Sequence, residues 1–108
     1  MSISAVMSIS LSGMQAQQTR LAASANNIAN TMTPGYDRRE TTFTSAPSGG
    51  VSATVRPSGD AVLGDGSNVD LADEMLSLIQ GEIGFKANAA AWETGAELWD
   101  VLKTIVRD

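Results

Sequence analysis

The sequence predicts a mainly α protein, with a long helix at each end and a β-hairpin and loop segment between them. Three observations predict this fold. Apolar residues recur every seven positions in residues 7–28, the same spacing returns in residues 71–106, and the intervening stretch is rich in glycine, proline, serine and threonine. With 108 residues the chain is one small domain, divided into a helix and turn (1–36), a hairpin and loop (37–68) and a second helix (69–108).

The first helix carries an apolar seam with the spacing of a and d positions in a heptad. The seam consists of Met7, Leu11, Met14, Gln18, Leu21, Ala25 and Ile28. Because Gln18 is polar and Ala25 is small, we expect this helix to depend on its neighbours for stability.

An unusual run of asparagines, Asn26, Asn27 and Asn30, comes near the end of this helix. Asparagine side chains can bond to the backbone groups that a helix end leaves unpaired, and Asn30 suits that position. Pro34 and Gly35 then predict a type II turn, in which proline fixes φ and glycine supplies a positive φ. The earlier pair, Asn26 and Asn27, lies where helix propensity disfavours asparagine, and a helix end alone does not explain it.

The middle segment contains two short runs that favour β structure, residues 41–44 and 51–55. Residues 45–50 have the sequence SAPSGG, which is typical of a hairpin turn. The sequence therefore predicts a two-stranded hairpin here.

The second helix has a longer and more apolar seam than the first. Its seven-residue series consists of Leu71, Leu78, Phe85, Trp92, Trp99 and Val106. Further apolar residues such as Ile79 and Ile83 widen this face beyond what one partner helix needs. Asp70 is the predicted N-cap. Three glycines, Gly81, Gly84 and Gly95, predict either bends or the close approach of a neighbouring backbone.

Composition excludes most enzyme and nucleic-acid-binding classes. The chain has no histidine and no cysteine, which removes the usual general base, nucleophile and zinc ligands. The net charge is −5, with no basic stripe for nucleic acid. Residues 65–70 resemble a calcium loop only superficially, because the ligand spacing is wrong. We therefore expect no catalytic residue, cofactor, metal or small-molecule substrate.

Residues 26–36, with the sequence NNIANTMTPGY, resemble the N-terminal signature of the flagellar axial family of rod, hook and hook-associated proteins. The preceding residues 12–24 are similar to the same family. Residues 69–79, VDLADEMLSLI, resemble its C-terminal motif, and Asn88 lies in the part that follows. The residues that carry the match are Asn26, Asn27, Asn30, Pro34, Gly35, Tyr36, Val69, Asp70, Glu74, Met75 and Asn88.

The resemblance implies that the terminal helices pair as an antiparallel coiled-coil hairpin and pack with neighbouring subunits, with these motif residues at subunit contacts. It also implies export by the flagellar type III apparatus, without a cleaved signal peptide, and polymerisation with itself and other rod and hook-basal-body proteins. The short middle segment is most similar to that of the small proximal rod proteins of the basal body.

One stretch departs from the family pattern, since residues 81–85 read GEIGF where the family has a glutamine, an arginine and a tyrosine. An alternative hypothesis is a cytoplasmic helical-hairpin adaptor or export-associated binding module, in which Trp92 and Trp99 capture a partner helix.

Overall fold

The computed structural model describes residues 2–62 and 64–106. The predicted terminal segments also include residues 1, 107 and 108, which lie outside the described part of the chain. The elements in chain order are α1 (Ile3–Ala29), β1 (Arg39–Ser45), β2 (Val51–Pro57) and α2 (Leu71–Val106). The prediction of a mainly helical chain with a β-hairpin between two long helices is confirmed, and both strands are longer than predicted.

Helix α1 begins and ends with side-chain caps. Ser2 is its N-cap and accepts a hydrogen bond from the Ala5 amide (3.0 Å). Asn30 is its C-cap. The chain then turns at Pro34 and Gly35, where the Tyr36 amide donates to the Thr33 carbonyl (3.2 Å) and Gly35 has a φ of +74°. The predicted type II turn is confirmed, because a positive φ at this position is the feature that glycine supplies.

The two strands pair antiparallel and in register from Arg39 with Pro57 to Ser45 with Val51. A two-stranded hairpin alone is marginal in water, and this one lies on α1. The Ser12 hydroxyl accepts a hydrogen bond from the Val51 amide (3.1 Å), and Ile9 packs beside Gly49 in the turn. The hairpin is therefore held by the α1 face that contains Ile9 and Ser12.

The two helices run antiparallel and contact each other through small and polar residues. Near one end the Asn27 amide donates to Glu74 (2.9 Å), and next to it the Ser24 hydroxyl donates to Ser77 (3.0 Å). Further along, a Cβ placed on Gly13 would overlap the amide of Asn88. From one contact to the next, the residue number rises along α2 and falls along α1, so the two helices are antiparallel.

Glycine lets the two helix backbones approach closely. A Cβ on Gly81 would lie 2.8 Å from Leu21, and a Cβ on Gly95 would lie 2.7 Å from Met7. Of the two predicted roles for these glycines, the structure supports close approach. It also accounts for part of the atypical GEIGF stretch, since the two glycines in it, Gly81 and Gly84, face α1.

The contact between the helices runs mostly beside the predicted seams, and a coiled-coil pairing through them is not confirmed. Most of the contacting residues precede the predicted seam by one position in both helices: Gly13, Ser24 and Asn27 in α1, and Glu74, Ser77, Gly81, Gly84 and Asn88 in α2. Two seam residues of α1 also take part, since Leu21 contacts Gly81 and Met7 contacts Gly95. Among the seam residues, Leu11, Leu71, Trp92, Trp99 and Val106 are exposed, whereas Met7, Met14, Leu21, Ile28, Leu78 and Phe85 are half-buried. The physical reason is that glycine and serine on α2 let the two helices approach closely, and the Leu21 and Met7 side chains of α1 then lie against Gly81 and Gly95.

The protein is elongated and has little interior. Its principal extents are 71 × 25 × 14 Å. Within residues 2–62 and 64–106, the buried hydrophobic residues are Ala16 and Ala23. A chain with so small an apolar core gains little stability from burial within one molecule.

Candidate functional site

The asparagine motif lies at a junction where the end of α1, the start of β1 and the first turn of α2 meet. Asn27 is fully buried at its centre. Its amide nitrogen donates to the Arg39 carbonyl (2.9 Å) and to Glu74 (2.9 Å), and its amide oxygen accepts from the Arg39 amide (2.8 Å) and the Tyr36 hydroxyl (2.8 Å). Both donor hydrogens and both acceptor positions of the side chain are therefore used inside the molecule.

The bonds to Arg39 imitate a neighbouring β-strand. At the two ends of this hairpin the Arg38 carbonyl accepts from the Ser58 amide and the Ala46 amide donates to the Gly50 carbonyl. The even-numbered residues of β1 therefore direct their backbone N–H and C=O groups to β2. Arg39 therefore points its N–H and C=O to the free edge of the strand. Asn27 satisfies both groups and fixes where the strand begins.

Glu74 is a buried carboxylate at the same junction, with a side-chain exposure of 2%. It accepts from the Asn27 amide and lies 3.4 Å from the Arg38 guanidinium, which also pairs with Glu40 (2.6 Å). A buried charge needs such partners, because leaving it unpaired is strongly destabilising. Glu74 thus joins the first turn of α2 to both preceding elements.

Two other motif asparagines are more accessible. The Tyr36 hydroxyl lies 2.8 Å from the amide oxygen of Asn26 as well as from that of Asn27. Asn30 donates to the Asn26 carbonyl (2.9 Å) and accepts from the Thr33 hydroxyl (3.0 Å). Asn26 is exposed and Asn30 half-exposed, so these two side chains retain surface for an external partner.

A second polar cluster, which the sequence analysis did not single out, secures the loop before α2. Asn68 accepts from the Arg38 amide (2.6 Å) and donates to Asp37 (2.8 Å). Asp37 also accepts from the Ser58 hydroxyl and the Gly59 amide (3.0 Å). The hydrogen bond from Ser58, followed by those from Asn68 and Gly59, lowers the pKa of Asp37. The sequence feature that could have revealed this cluster is local, since asparagine, aspartate and serine beside glycine are typical of such turns.

The remaining motif residues lie along α2 and the loop before it. Asp70 caps the helix as predicted, accepting from the Ala72 amide (2.9 Å). Val69 is half-buried in the loop, Met75 is exposed, and Asn88 donates to the Gly84 carbonyl (2.8 Å) beside Gly13. The structure therefore gathers Asn27, Tyr36 and Glu74 into one junction, and leaves Met75 and Asn88 apart from it.

Helix α2 exposes large apolar side chains over much of its length. They include Leu71, Met75, Leu76, Ile79, Ile83, Trp92, Leu98, Trp99, Val101, Leu102, Ile105 and Val106. Extended apolar surface of this kind marks an interaction site in a soluble protein.

Within the described residues, no group of three or more acidic, histidine or cysteine side chains could hold a metal ion. Among the described helices, none has the length and apolarity needed to cross a membrane.

Part of the chain matches a known protein family. Residues 7–36, which cover most of α1, the asparagine run and the Pro34 turn, match a family described as flagella basal body rod protein. This part of the chain is similar to the flagellar axial family of rod and hook proteins.

The chain is also similar to the flagellar hook protein FlgE of Brucella abortus, Brucella suis and Brucella melitensis. Each is 51% identical over 45 residues, which is 42% of this chain and 11% of the relative. The chain therefore spans only a small part of the length of these hook proteins.

Proposed function

We propose that the protein is a structural subunit of the bacterial flagellar basal-body rod, of the small proximal type, and that it contributes to motility. In this proposal it has no catalytic role. It is exported by the flagellar type III system and polymerises in the periplasm, through its terminal helices, with itself and other rod and hook-basal-body proteins.

The observation that carries the proposal is the combination of a rod-protein match on α1 with an exposed apolar α2. The buried hydrophobic residues of the described part are two alanines, while both tryptophans, Trp92 and Trp99, lie at the surface. Such a distribution suits a subunit that gains stability when neighbours cover its helices, because association stabilises the folded form by mass action.

The location of the protein tests this proposal. An epitope-tagged chain should leave the cytoplasm of its own bacterium and sediment with the flagellar base, and it should stay in the cytosol when the export gate is deleted. A matched strain with an intact gate and a tagged cytosolic protein supplies the control.

The adaptor hypothesis makes the opposite prediction, since an adaptor stays in the cytosol whether or not the gate is present. The exposed Trp92 and Trp99 favour it as a second candidate, because they could receive a partner helix. A cytosolic location in both strains would therefore replace the rod proposal with the adaptor.

A further inference from the structure

The outer edge of strand β1 carries backbone groups that have no hydrogen-bond partner. Residues at odd positions of this strand direct their N–H and C=O groups away from β2. Asn27 binds both groups of Arg39 (2.8 and 2.9 Å). In the part of the chain that the structure describes, nothing bonds to the outward N–H and C=O groups of Thr41, Phe43 and Ser45. Asn27 therefore takes the place of a third strand at one residue, and the rest of the edge lacks one.

This edge forms one wall of a groove whose other wall is α2. The groove has a volume of about 470 Å³, within the range of ligand-binding clefts. It is lined by residues 38–43, by Arg20 and Ser24 of α1, and by side chains of α2 from Asp73 to Gln80. Between β1 and α2, both of which the structure describes in full, no two Cα atoms lie within 8 Å of each other. A strand pairs at about 4.8 Å from its neighbour, so an extended segment has space beside β1.

The opposite edge of the hairpin, on β2, is less available. The Val51 amide on that edge already donates to the Ser12 hydroxyl of α1 (3.1 Å), and Pro57 ends the strand. Covering an edge and placing proline on it are common ways to prevent another strand from adding. From Thr41 to Ser45, β1 has no proline and no charged side chain, and its threonine and phenylalanine residues favour strands. A further strand should therefore add to β1 rather than to β2.

The acidic side chains that line the groove are compensated within the chain. Glu40 and Glu74 both pair with Arg38 (2.6 and 3.4 Å). Asp73 lies in the first turn of α2, where the helix dipole favours negative charge. The groove therefore needs no external cation.

Two arginines of the groove, Arg20 and Arg39, have no acidic partner. Neither of them forms an ion pair with any acidic side chain of residues 2–62 and 64–106. Arg20 donates instead to the Ser77 hydroxyl (3.0 Å) and to Gln80, and Arg39 is exposed. Guanidinium groups bind carboxylates through strong, charge-assisted hydrogen bonds. The charge of the groove therefore suits a segment that carries an acidic side chain.

We propose that β1 receives an extended, acidic segment of a different protein as a third strand of the hairpin. Main-chain hydrogen bonds to Thr41, Phe43 and Ser45 supply the affinity, and the carboxylate on Arg20 or Arg39 supplies the specificity. The same edge of a second copy has no acidic residue from Thr41 to Ser45 to meet these arginines, so the chemistry favours a different protein. This contact is separate from the proposed polymerisation through the terminal helices.

Three synthetic peptides test the proposal on the full chain. The first is a short capped peptide in which threonine and valine alternate around a central glutamate. The second has glutamine in place of the glutamate, and the third is the first peptide with its backbone amides N-methylated, so that it cannot donate hydrogen bonds. Binding is followed by NMR titration, and hydrogen exchange reports on the amides of Thr41, Phe43 and Ser45.

We expect the glutamate peptide to shift the resonances of these three amides and to slow their exchange. The glutamine peptide should bind at least about threefold more weakly, because it lacks the charge that the arginines attract. The N-methylated peptide should bind at least about tenfold more weakly, because the main-chain hydrogen bonds are lost.

Substitutions at one cross-strand pair, Phe43 and Ala53, supply matched variants. Phe43→Pro removes an outward N–H of β1, which an edge strand tolerates, and should weaken binding of the glutamate peptide at least about tenfold. Phe43→Ala keeps this N–H and controls for loss of the ring, whereas Ala53→Pro removes an N–H from the opposite edge. Both controls should bind the peptide within about threefold of the unmodified chain. If circular dichroism shows that Phe43→Pro does not fold, the N-methylated peptide decides the question on the unmodified chain.

Equal binding of the N-methylated peptide would overturn the proposal, as would equal weakening by Phe43→Pro and Ala53→Pro or no shift at these amides up to the solubility limit of the glutamate peptide. Equal affinity for the glutamate and glutamine peptides would overturn the acidic partner. Slower exchange at the same amides as the concentration of the chain alone rises would assign the edge to a second copy, and would also overturn the proposal. The rod proposal does not depend on these results, because the location of the tagged chain tests it separately.

Discussion

The fully buried Asn27 side chain offers a sharp test of how the junction is held together. Asn27→Ala removes the two bonds to the Arg39 backbone and the bond to Glu74, whereas the Tyr36 hydroxyl keeps an alternative acceptor in Asn26. Two neutral bonds contribute about 1 kcal/mol each, and one to a carboxylate contributes about 1.5–3 kcal/mol. We therefore expect the free energy of unfolding to fall by about 3.5–5 kcal/mol, a large part of the usual total of about 5–15 kcal/mol.

The assay is urea unfolding followed by circular dichroism, at a concentration where the chain is monomeric, because association would add stability of its own. Asn26→Ala is the matched control. Asn26 is exposed, and alanine favours helix, so this variant should stay within about 0.5 kcal/mol of the unmodified protein. An Asn27→Ala variant as stable as the unmodified chain, or an equal loss of unfolding free energy in both variants, would contradict the role of Asn27 in the junction.

Three further predictions follow from single contacts. Gly13→Ala should destabilise the monomer by about 1–3 kcal/mol in the same urea assay, despite the better helix propensity of alanine, because a Cβ would overlap Asn88; a gain in stability would contradict the close contact. Gly35→Ala should cost about 1 kcal/mol in thermal unfolding, because its φ of +74° is strained for alanine, and an unchanged midpoint would contradict the turn. By NMR titration Asp37 should have a pKa below the ordinary value of about 3.9, and Ser58→Ala should raise it. Because this pKa is lowered by folding, the bonds to Asp37 should stabilise the protein at neutral pH, and their effect should disappear as the pH falls through the lowered value.

Local chemistry explains which parts of the fold could be predicted. Helix periodicity, the Asp70 cap, the turn at Gly35 and the SAPSGG hairpin turn each depend on a few neighbouring residues, and all four were found where expected. The role of Asn27 could not be predicted from local sequence, because its side chain forms hydrogen bonds to Arg39 and Glu74, which are distant in sequence.

The face through which each helix contacts the other could not be predicted from the sequence for a different reason. The periodic apolar residues include Leu11 and Trp92, which are exposed, whereas the contact within the molecule depends mainly on glycine, serine and asparagine. Small residues leave a weak periodic signal, although they determine how closely two helices can approach. In the proposed assembly the large apolar residues, which give the stronger periodic signal, lie on surfaces that neighbouring subunits cover.

The structure also changes what can be expected of the motif residues. The Asn27 side chain already binds partners inside the chain, so the proposed subunit contacts fall instead on accessible residues such as Asn26, Met75 and the exposed apolar side chains of α2. Substitution of Asn27 should therefore impair folding before assembly, whereas substitution of Met75 should impair assembly alone.

Quantitative mass spectrometry of purified hook–basal bodies from the source bacterium tests the central claim most directly. The account predicts that this chain is present in a constant ratio to the other rod subunits, and that it is absent from the same fraction when the export gate is deleted. Intact basal bodies that lack the chain, in cells that produce it, would contradict the account.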